Sequence, residues 1–285
     1  MMRSLAFILL VIISLTRCAP ESDFNAIPYT KKLVVDGAIE SNGYPRVQLS
    51  YSAAYFEEID SANIRDLMVS TAKVTVSDGE QEEVLTLRRD NNLFPPFYYE
   101  GTSIVGKAGK RYDLTIELKG EIYTATTTIP EPRKLDKLWF ALAPDKDSLG
   151  YLYGKISDNA AEQNFYRLFT QRKNVDPRFF PVYLSAIDDQ YFNGKSFTFT
   201  VFRGPENFSE IKDDLYFAKG DTIKLKFCTM DKAHYDFWRT MERELYVVGN
   251  PFASSGNEVL SNIQGKNVLG VWGGYGVTLY ETVAR

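Results

Sequence analysis

The feature that most constrains the fold is a strict two-residue alternation near the middle of the chain. The apolar side chains that alternate with polar ones there are Tyr112, Leu114, Ile116 and Leu118. Successive side chains of a β-strand point to opposite faces, so these residues share one buried face. Lys119–Gly120 follows as a turn, and a threonine-rich run over 122–129 predicts the returning strand. The pattern therefore predicts a β-hairpin inside a sheet-based fold.

The composition extends this prediction to the whole chain. The 285 residues include 19 Phe and 18 Tyr, and aromatic residues make up 14% of the sequence. Such side chains suit the half-buried surface of a pleated sheet, and the length suggests about two domains. Further strands are predicted around residues 33–39, 47–51, 74–76, 84–87, 139, 151–153, 165–169, 197–202 and 223–227. We therefore expect a mainly all-β fold.

The strands divide at the Pro130–Glu131–Pro132 break. Short strands at regular spacing over residues 32–130 predict an immunoglobulin-like β-sandwich. Residues 131–285 predict a second β-sandwich-like domain with one amphipathic helix at about 231–247. On that helix the residues spaced to share one face are His234, Trp238, Met241 and Leu245. Thr229 or Asp231 is expected to cap its start, and Gly249–Asn250–Pro251 to end it.

The start of the chain predicts export and lipidation. Arg3 precedes an apolar run over residues 5–13, which together predict a signal peptide at 1–17. The following Leu15–Thr16–Arg17–Cys18 resembles a lipobox, although Arg17 stands where a small residue is usual. We expect acyl chains on Cys18 to anchor the protein to a membrane, with residues 18–31 as a lipidated tether. A secreted but unlipidated protein, or an uncleaved anchor, is the alternative.

Charge and cysteine content exclude two classes of protein. Loss of residues 1–17 would lower the net charge from −4 to about −6, and the sequence holds no basic block, so nucleic-acid binding is disfavoured. Cys228 is the only cysteine besides Cys18. An exported chain of this kind has no internal disulfide framework, so its stability depends on packing.

The sequence offers no catalytic, metal or cofactor site that stands above chance. His234 is the only histidine, which rules out sites with several histidines. A Cys228–His234 dyad is conceivable, but a core histidine is the favoured interpretation because His234 lies on the apolar stripe of the helix. The acidic run Ile187–Gly194 suits either a Ca²⁺ loop or a solvated hairpin loop, and we favour the hairpin loop.

Two stretches combine aromatic rings with prolines, at residues 93–99 and 175–183. Proline lacks the ladder donor, so neither stretch is expected to be a central strand. Aromatic rings in loops can stack on sugars or anchor an interface. The candidate binding residues are Tyr98, Tyr99, Phe179, Phe180 and Tyr183. The alternative is that these rings are lids over the ends of the sandwiches.

Several motifs together resemble a family of Bacteroidota outer-membrane lipoproteins known as domain-of-unknown-function 4249. The matching segments are Lys32–Gly37, Gly109–Leu114, Tyr123–Pro130, Phe192–Lys195, Gly249–Phe252, Ser261–Ile263, Gly265 and Leu269–Tyr275. The resemblance implies an outer-membrane location, facing the cell surface or the periplasm, and a TonB-dependent transporter as partner. It implies no catalytic residue and no cofactor. The glycine-dense ending fits close backbone approach, where Asn262 is expected to bond backbone groups.

Three hypotheses about function follow. The leading one is a non-enzymatic accessory lipoprotein that binds a substrate or partner beside a TonB-dependent transporter, with the ligand undefined. The second is a surface adhesin or structural interaction module. The third is a hydrolase that uses carboxylates alone, whose residues cannot be singled out among 37 acidic side chains.

Overall fold

The computed structural model describes residues 29–53, 64–159, 161–190, 192–206, 215–247 and 258–285. The predicted signal peptide, Cys18 and the predicted helix stop at 249–251 lie outside these ranges. In the part of the chain that the structure describes, no helix is long and apolar enough to cross a membrane.

Strands dominate the described residues, which confirms the prediction of a mainly β fold with one helix. A short 3₁₀ turn covers Ile64–Leu67. The strands are β1 Leu33–Glu40, β2 Arg46–Tyr51, β3 Lys73–Ser77, β4 Glu82–Val84, β5 Thr86–Arg89, β6 Phe97–Glu100, β7 Arg111–Leu118, β8 Glu121–Thr128, β9 Lys137–Leu142, β10 Leu149–Ser157, β11 Phe165–Arg172, β12 Phe180–Asp188, β13 Ser196–Val201, β14 Phe217–Ala218, β15 Thr222–Met230 and β16 Val268–Val283. The helix, α1, covers Lys232–Val247, close to the predicted 231–247.

The predicted hairpin is confirmed as the antiparallel pair β7–β8. Its four alternating apolar side chains are each no more than 4% exposed. Lys119 and Gly120 have φ values of 52° and 85°. Positive φ at both central residues is what a two-residue type I′ turn requires, and this turn matches the right-handed twist of the strands. The local sequence therefore fixes the register of this pair.

The strands form three sheets. The largest has the order β12-β11-β15-β16-β1-β2-β6-β5, and the two smaller ones are β4-β3-β7-β8 and β13-β10-β14, with β9 pairing to β10. The long strand β16 joins the two halves of the large sheet. Its first half runs parallel to β1, and its second half runs antiparallel to β15. One continuous sheet thus carries strands from both sides of residue 130, while the immunoglobulin-like topology and the domain boundary stay predictions.

Each half of the large sheet buries a separate core on one face. The core of the first half includes Val35, Ile39 and Trp272. The core of the second half includes Leu168 and Phe227. Since side chains alternate along a strand, the residues between these point to the opposite side of the sheet, here called the outer face.

Helix α1 packs against β11, β12 and β16 on the outer face. A third apolar cluster is buried between the helix and the sheet. It consists of Phe165, Cys228, Met230, Tyr235 and Tyr275. The helix covers only part of the face. The uncovered part carries an unusual density of charged side chains, described below.

The start of α1 is capped by Asp231, one of the two residues predicted for that role. The His234 amide donates to Asp231 Oδ1 at 2.9 Å, and the Thr127 hydroxyl donates to Asp231 Oδ2 at 2.6 Å. Thr229 instead donates to the Glu131 carbonyl at 2.9 Å. The face predicted for His234, Trp238, Met241 and Leu245 is not buried along its whole length. His234 is 1% exposed, whereas Leu245 is 43% exposed.

The glycine-dense ending allows close approach, as the sequence predicts. A Cβ atom at Gly273 would lie only 2.0 Å from His234 Nδ1. The imidazole ring of the helix therefore rests directly on the backbone of β16. Asn262 bonds the backbone of Trp272 in both directions, at 2.7 and 2.9 Å, which confirms its expected role.

Candidate functional site

A cavity of about 600 Å³ opens on the outer face beside helix α1, and we call it the outer-face cavity. Its floor consists of side chains on the large sheet: Asp36, Ala38, Glu40, Arg46, Gln48, Glu100, Arg167, Phe169, Lys226 and Tyr275. Its walls consist of Gly43, Tyr44, Leu93, Phe179, Pro181, His234 and Trp238. The floor is therefore polar and charged, whereas the walls are largely apolar and aromatic.

The two aromatic–proline stretches found in the sequence meet at this cavity. Leu93 from the first and Phe179 from the second both line its wall. The Arg178 guanidinium donates to the Asn92 carbonyl at 2.5 Å and so ties the stretches together. Gln48 Nε2 donates to the Pro95 carbonyl at 2.5 Å, which fixes the first stretch to β2. Contacts between distant segments of the chain thus build one side of the site.

The five candidate binding residues occupy different environments. Phe179 lines the cavity, and Tyr98 is half-buried beneath Arg46, whose guanidinium carbon is 3.7 Å from the ring centroid. Tyr99 and Phe180 are buried, at 3% and 4% exposed, so neither can meet a ligand without rearrangement. Tyr183 is half-buried, with its ring against Phe202.

The expectation that neither stretch is a central strand holds for only one of them. Strand β12, which carries Pro181, is the edge strand of the large sheet. Strand β6 lies between β2 and β5, so the expectation is wrong there. Pro95 and Pro96 precede β6, and its amides remain available for the ladder.

Arg167 is the most buried cation of the cavity, at 5% exposed. Its Nη1 donates to the Tyr275 hydroxyl at 2.8 Å, and its Nε donates to the Ser185 hydroxyl at 3.1 Å. The Ser185 hydroxyl in turn donates to the Glu242 carboxylate on helix α1. No carboxylate of the described residues forms an ion pair with Arg167. Its charge is held by neutral hydroxyls and by aromatic rings.

Asp36 lies in the middle of β1 and points into the cavity. Its side chain is accessible from the cavity, and no described residue forms a hydrogen bond or ion pair with its carboxylate. Desolvation by the surrounding protein atoms raises the pKa of Asp36, although the positive charges of Arg167 and Arg46 oppose the change. The side chain is nevertheless exposed to solvent, so its carboxylate is open to any molecule that enters the cavity.

The remaining cavity charges largely balance one another. Lys226 Nζ lies 2.5 Å from a carboxylate oxygen of Glu40. The same ammonium lies 4.8 Å from the ring centroid of Phe169 and 5.3 Å from that of Phe179. Three acids and three bases line the cavity in all: Asp36, Glu40, Glu100, Arg46, Arg167 and Lys226.

His234 and Cys228 are core residues, as the sequence analysis favoured. Burial lowers the pKa of His234 to about 3, with a further lowering from Arg167, so the imidazole is neutral near pH 7. Burial raises the pKa of Cys228 to about 12, which keeps it a thiol. Within the described ranges no hydrogen bond joins the two, and His234 Nδ1 has no partner. The pair lacks the thiolate that a nucleophilic cysteine needs.

The expected solvated hairpin loop at residues 187–194 is wrong in one respect. Asp189 is fully buried, and its carboxylate accepts a hydrogen bond of 2.6 Å from the Asn164 amide. Asp188 is half-buried and accepts a hydrogen bond of 2.7 Å from the Tyr235 hydroxyl. These carboxylates hold a turn and the helix. Across the described ranges, no group of three or more His, Cys, Asp or Glu side chains could hold a metal ion.

The cavity depends on residues that the sequence analysis did not name as binding candidates, chiefly Asp36, Arg46, Arg167 and Trp238. A signal for two of them was present. Asp36 interrupts the apolar run that opens β1, and Arg167 stands between Tyr166 and Leu168 in a strongly apolar strand. A charged residue inside such a strand is costly unless it is partnered or used.

Together these features define a mainly β protein with one large sheet, two smaller sheets and a ligand-sized cavity on the outer face of the large sheet. The chain belongs to the family described as Domain of unknown function (DUF4249), which it matches over residues 20–281. No curated protein matches the chain.

Proposed function

We propose that this protein is an outer-membrane-anchored accessory lipoprotein that binds a ligand in the outer-face cavity, alongside a TonB-dependent transporter. The observation that carries the binding role is the Asp36 carboxylate, which lacks a partner in a cavity of about 600 Å³. Ligand sites are usually concave, of roughly 300–1,000 Å³, with a few convergent polar groups on apolar walls. A carboxylate that no protein group engages is free to accept hydrogen bonds from a ligand.

The anchoring role is supported by the leader of the sequence. Residues 1–17 have the charge and apolar run of a signal peptide, and Cys18 follows a lipobox-like segment. A single acyl chain binds a membrane marginally, whereas two or more hold a protein stably. A lipid-anchored binding protein would concentrate its ligand near a transporter in the same membrane.

The pairing of Glu40 favours binding over hydrolysis. Glycoside hydrolysis needs two carboxyl groups, one as acid and the other as base or nucleophile. Glu40, which lies on the same strand as Asp36, is engaged by Lys226. An adhesin would share the anchor, but a broad adhesive surface would not need a partnerless carboxylate inside a cavity.

Two measurements test this proposal. Radiolabelled palmitate should enter the wild-type chain and not the Cys18→Ser variant, and an unlabelled wild type would contradict the anchor. An affinity-tagged full chain, isolated from solubilised outer membranes, should bring a TonB-dependent transporter with it. The Cys18→Ser variant is the control, because it should fold but stay out of the membrane. Recovery of the wild-type chain without any transporter would contradict the partnership.

A further inference from the structure

We propose that the outer-face cavity takes a neutral saccharide of two or three sugar units, whose hydroxyl groups bridge Asp36 and Arg167. This inference depends on the proposed binding role of the cavity and names the chemical class of its ligand. It rests on the hydrogen-bonding needs of two side chains, on the charge balance of the floor, and on the shape of the site.

The first argument concerns donors and acceptors. An ionised Asp36 can only accept hydrogen bonds, whereas the Arg167 guanidinium has five N–H donors. Ser185 and Tyr275 account for only two of those donors. Arg167 also lines the cavity, and its Nη2 has no hydrogen-bond partner among the described residues yet is not among the fully buried atoms that lack one. The two N–H groups of Nη2 are therefore accessible from the cavity.

Asp36 and Arg167 interact electrostatically but do not form an ion pair, so a gap separates them. A hydroxyl group both donates and accepts. One sugar ring can therefore donate to the carboxylate from one hydroxyl and accept from the guanidinium at the next. This arrangement would satisfy both groups with a single ligand.

The second argument concerns charge. The cavity has three acidic and three basic side chains, so its floor has no net excess of either sign. An ammonium ligand at Asp36 would lie in the field of Arg46 and Arg167, which already act on that carboxylate. Removing an ion from water also costs far more than removing a neutral hydroxyl. A neutral polyhydroxylated ligand meets these conditions best.

The third argument concerns the shape of the site. A volume of about 600 Å³ equals the liquid volume of about 20 water molecules, which is the bulk of two or three sugar rings. At the rim, Tyr44 is 50% exposed, with its ring open to a ligand. The Trp238 and Phe169 rings already have Arg167 against them. Tyr44 is therefore the platform on which the apolar face of a sugar would pack.

The same geometry disfavours a peptide. Extended peptides commonly bind by adding a strand to a free sheet edge, where backbone hydrogen bonds supply affinity. The floor strands β1, β2, β6, β11, β15 and β16 are all interior strands, paired on both sides. The edge strand β12 reaches the cavity wall only at Pro181, whose backbone has no N–H to donate to a ladder.

The test is calorimetric titration of the full chain, purified in detergent, with two panels. One holds neutral oligosaccharides such as maltotriose, cellotriose, mannotriose and chitotriose, and the other holds tripeptides of varied side chains. At least one saccharide should bind, and Asp36→Asn should weaken that binding by about tenfold, which is about 1.4 kcal/mol. Asp147→Asn, on the exposed turn between β9 and β10, is the matched control and should leave binding unchanged. Tyr44→Ala should weaken binding and Tyr44→Phe should retain most of it.

The outcomes separate the two proposals. If a tripeptide binds, its binding is lost in Asp36→Asn and no saccharide binds, the saccharide inference is overturned and the binding role stands. If no compound of either panel binds, the inference is overturned, and the transporter pull-down then tests the proposed function separately. If a saccharide binds equally well to the wild type, Asp36→Asn and Tyr44→Ala, its site lies outside the outer-face cavity. This result also overturns the inference. Ala38→Trp, which fills the cavity floor, offers a second route to the same answer, with the unfolding midpoint as its folding control.

Discussion

The guanidinium carbon of Arg167, on β11, lies 3.3 Å from the centroid of the Trp238 ring on helix α1. This stacked contact fastens the helix to the outer face of the sheet. A second connection runs from Arg167 through the Ser185 hydroxyl to the Glu242 carboxylate of the same helix. The guanidinium is thus fixed by aromatic and hydroxyl partners before any ligand arrives. Such preorganisation reduces the ordering cost of binding.

Replacing Arg167 by Lys should destabilise the protein by about 2–4 kcal/mol. The ammonium of lysine cannot stack flat on Trp238 or reach Ser185 and Tyr275 together, and the desolvated cation–π contact alone is worth about 2 kcal/mol. Urea unfolding measures the change. Arg243→Lys, at an exposed position of the same helix, should cost less than about 0.5 kcal/mol. Equal effects of the two substitutions would show that the stacked contact contributes nothing.

Adding a methyl group at Gly273 should push helix α1 away from the sheet. The new Cβ would lie 2.0 Å from His234 Nδ1, and overpacking of this kind costs about 1–3 kcal/mol. In the double variant Gly273→Ala with His234→Ala the clash is absent, so its loss should be smaller than the sum of the single losses. Urea unfolding of the four proteins gives the coupling. Strict additivity would mean that the ring does not rest on Gly273.

Acid should destabilise the fold through His234, the only histidine of the chain. Burial lowers its pKa from the usual 6.5 to about 3, so its contribution to stability is present above about pH 6.5 and is lost as the pH falls toward 3. Between these values the unfolded state binds one more proton, which gives a slope of about 1.4 kcal/mol per pH unit. In His234→Gln that part of the slope should disappear. The measurement is the free energy of unfolding of both proteins at several pH values between 3 and 6.5. The same dependence of this free energy on pH in both proteins would contradict the prediction.

Asp36→Asn should stabilise the folded protein near pH 7, even as it weakens ligand binding. On balance the surroundings raise the pKa of Asp36, so the folded state is favoured below the usual carboxyl pKa and loses that advantage as the pH rises through the folded pKa. An uncharged amide removes this cost, and the gain should vanish at low pH. Thermal unfolding of Asp36→Asn beside Asp147→Asn measures it. A lower midpoint for Asp36→Asn alone would contradict the account.

The sequence predicts those parts of the fold that local rules govern. Alternation and turn residues identify the β7–β8 hairpin, because its partners are neighbours in the chain. Helical spacing and the Asp231 cap identify α1 for the same reason. The close backbone approach at the glycines of β16 and the backbone hydrogen bonds of Asn262 are also predictable, since closely packed backbone requires glycine.

The cavity could not be predicted, because its parts come together only through long-range pairing. The parallel pairing of β1 with β16 places strands from the two ends of the chain side by side. It brings Asp36 and Arg167 to one face, although nothing in their local sequences links them. Of the aromatic residues that the sequence singled out, Phe179 lines the cavity while Tyr99 and Phe180 are buried, because local pattern does not determine which face of a sheet is left uncovered.

The most direct test of the central claim is a crystal structure of the chain with the best-binding trisaccharide. The account predicts electron density for a sugar in the outer-face cavity, with hydroxyl groups within hydrogen-bond distance of both the Asp36 carboxylate and the Arg167 guanidinium, and with one ring packed on Tyr44. Density for the sugar at another surface, with the cavity unchanged and Asp36 still without a partner, would contradict it.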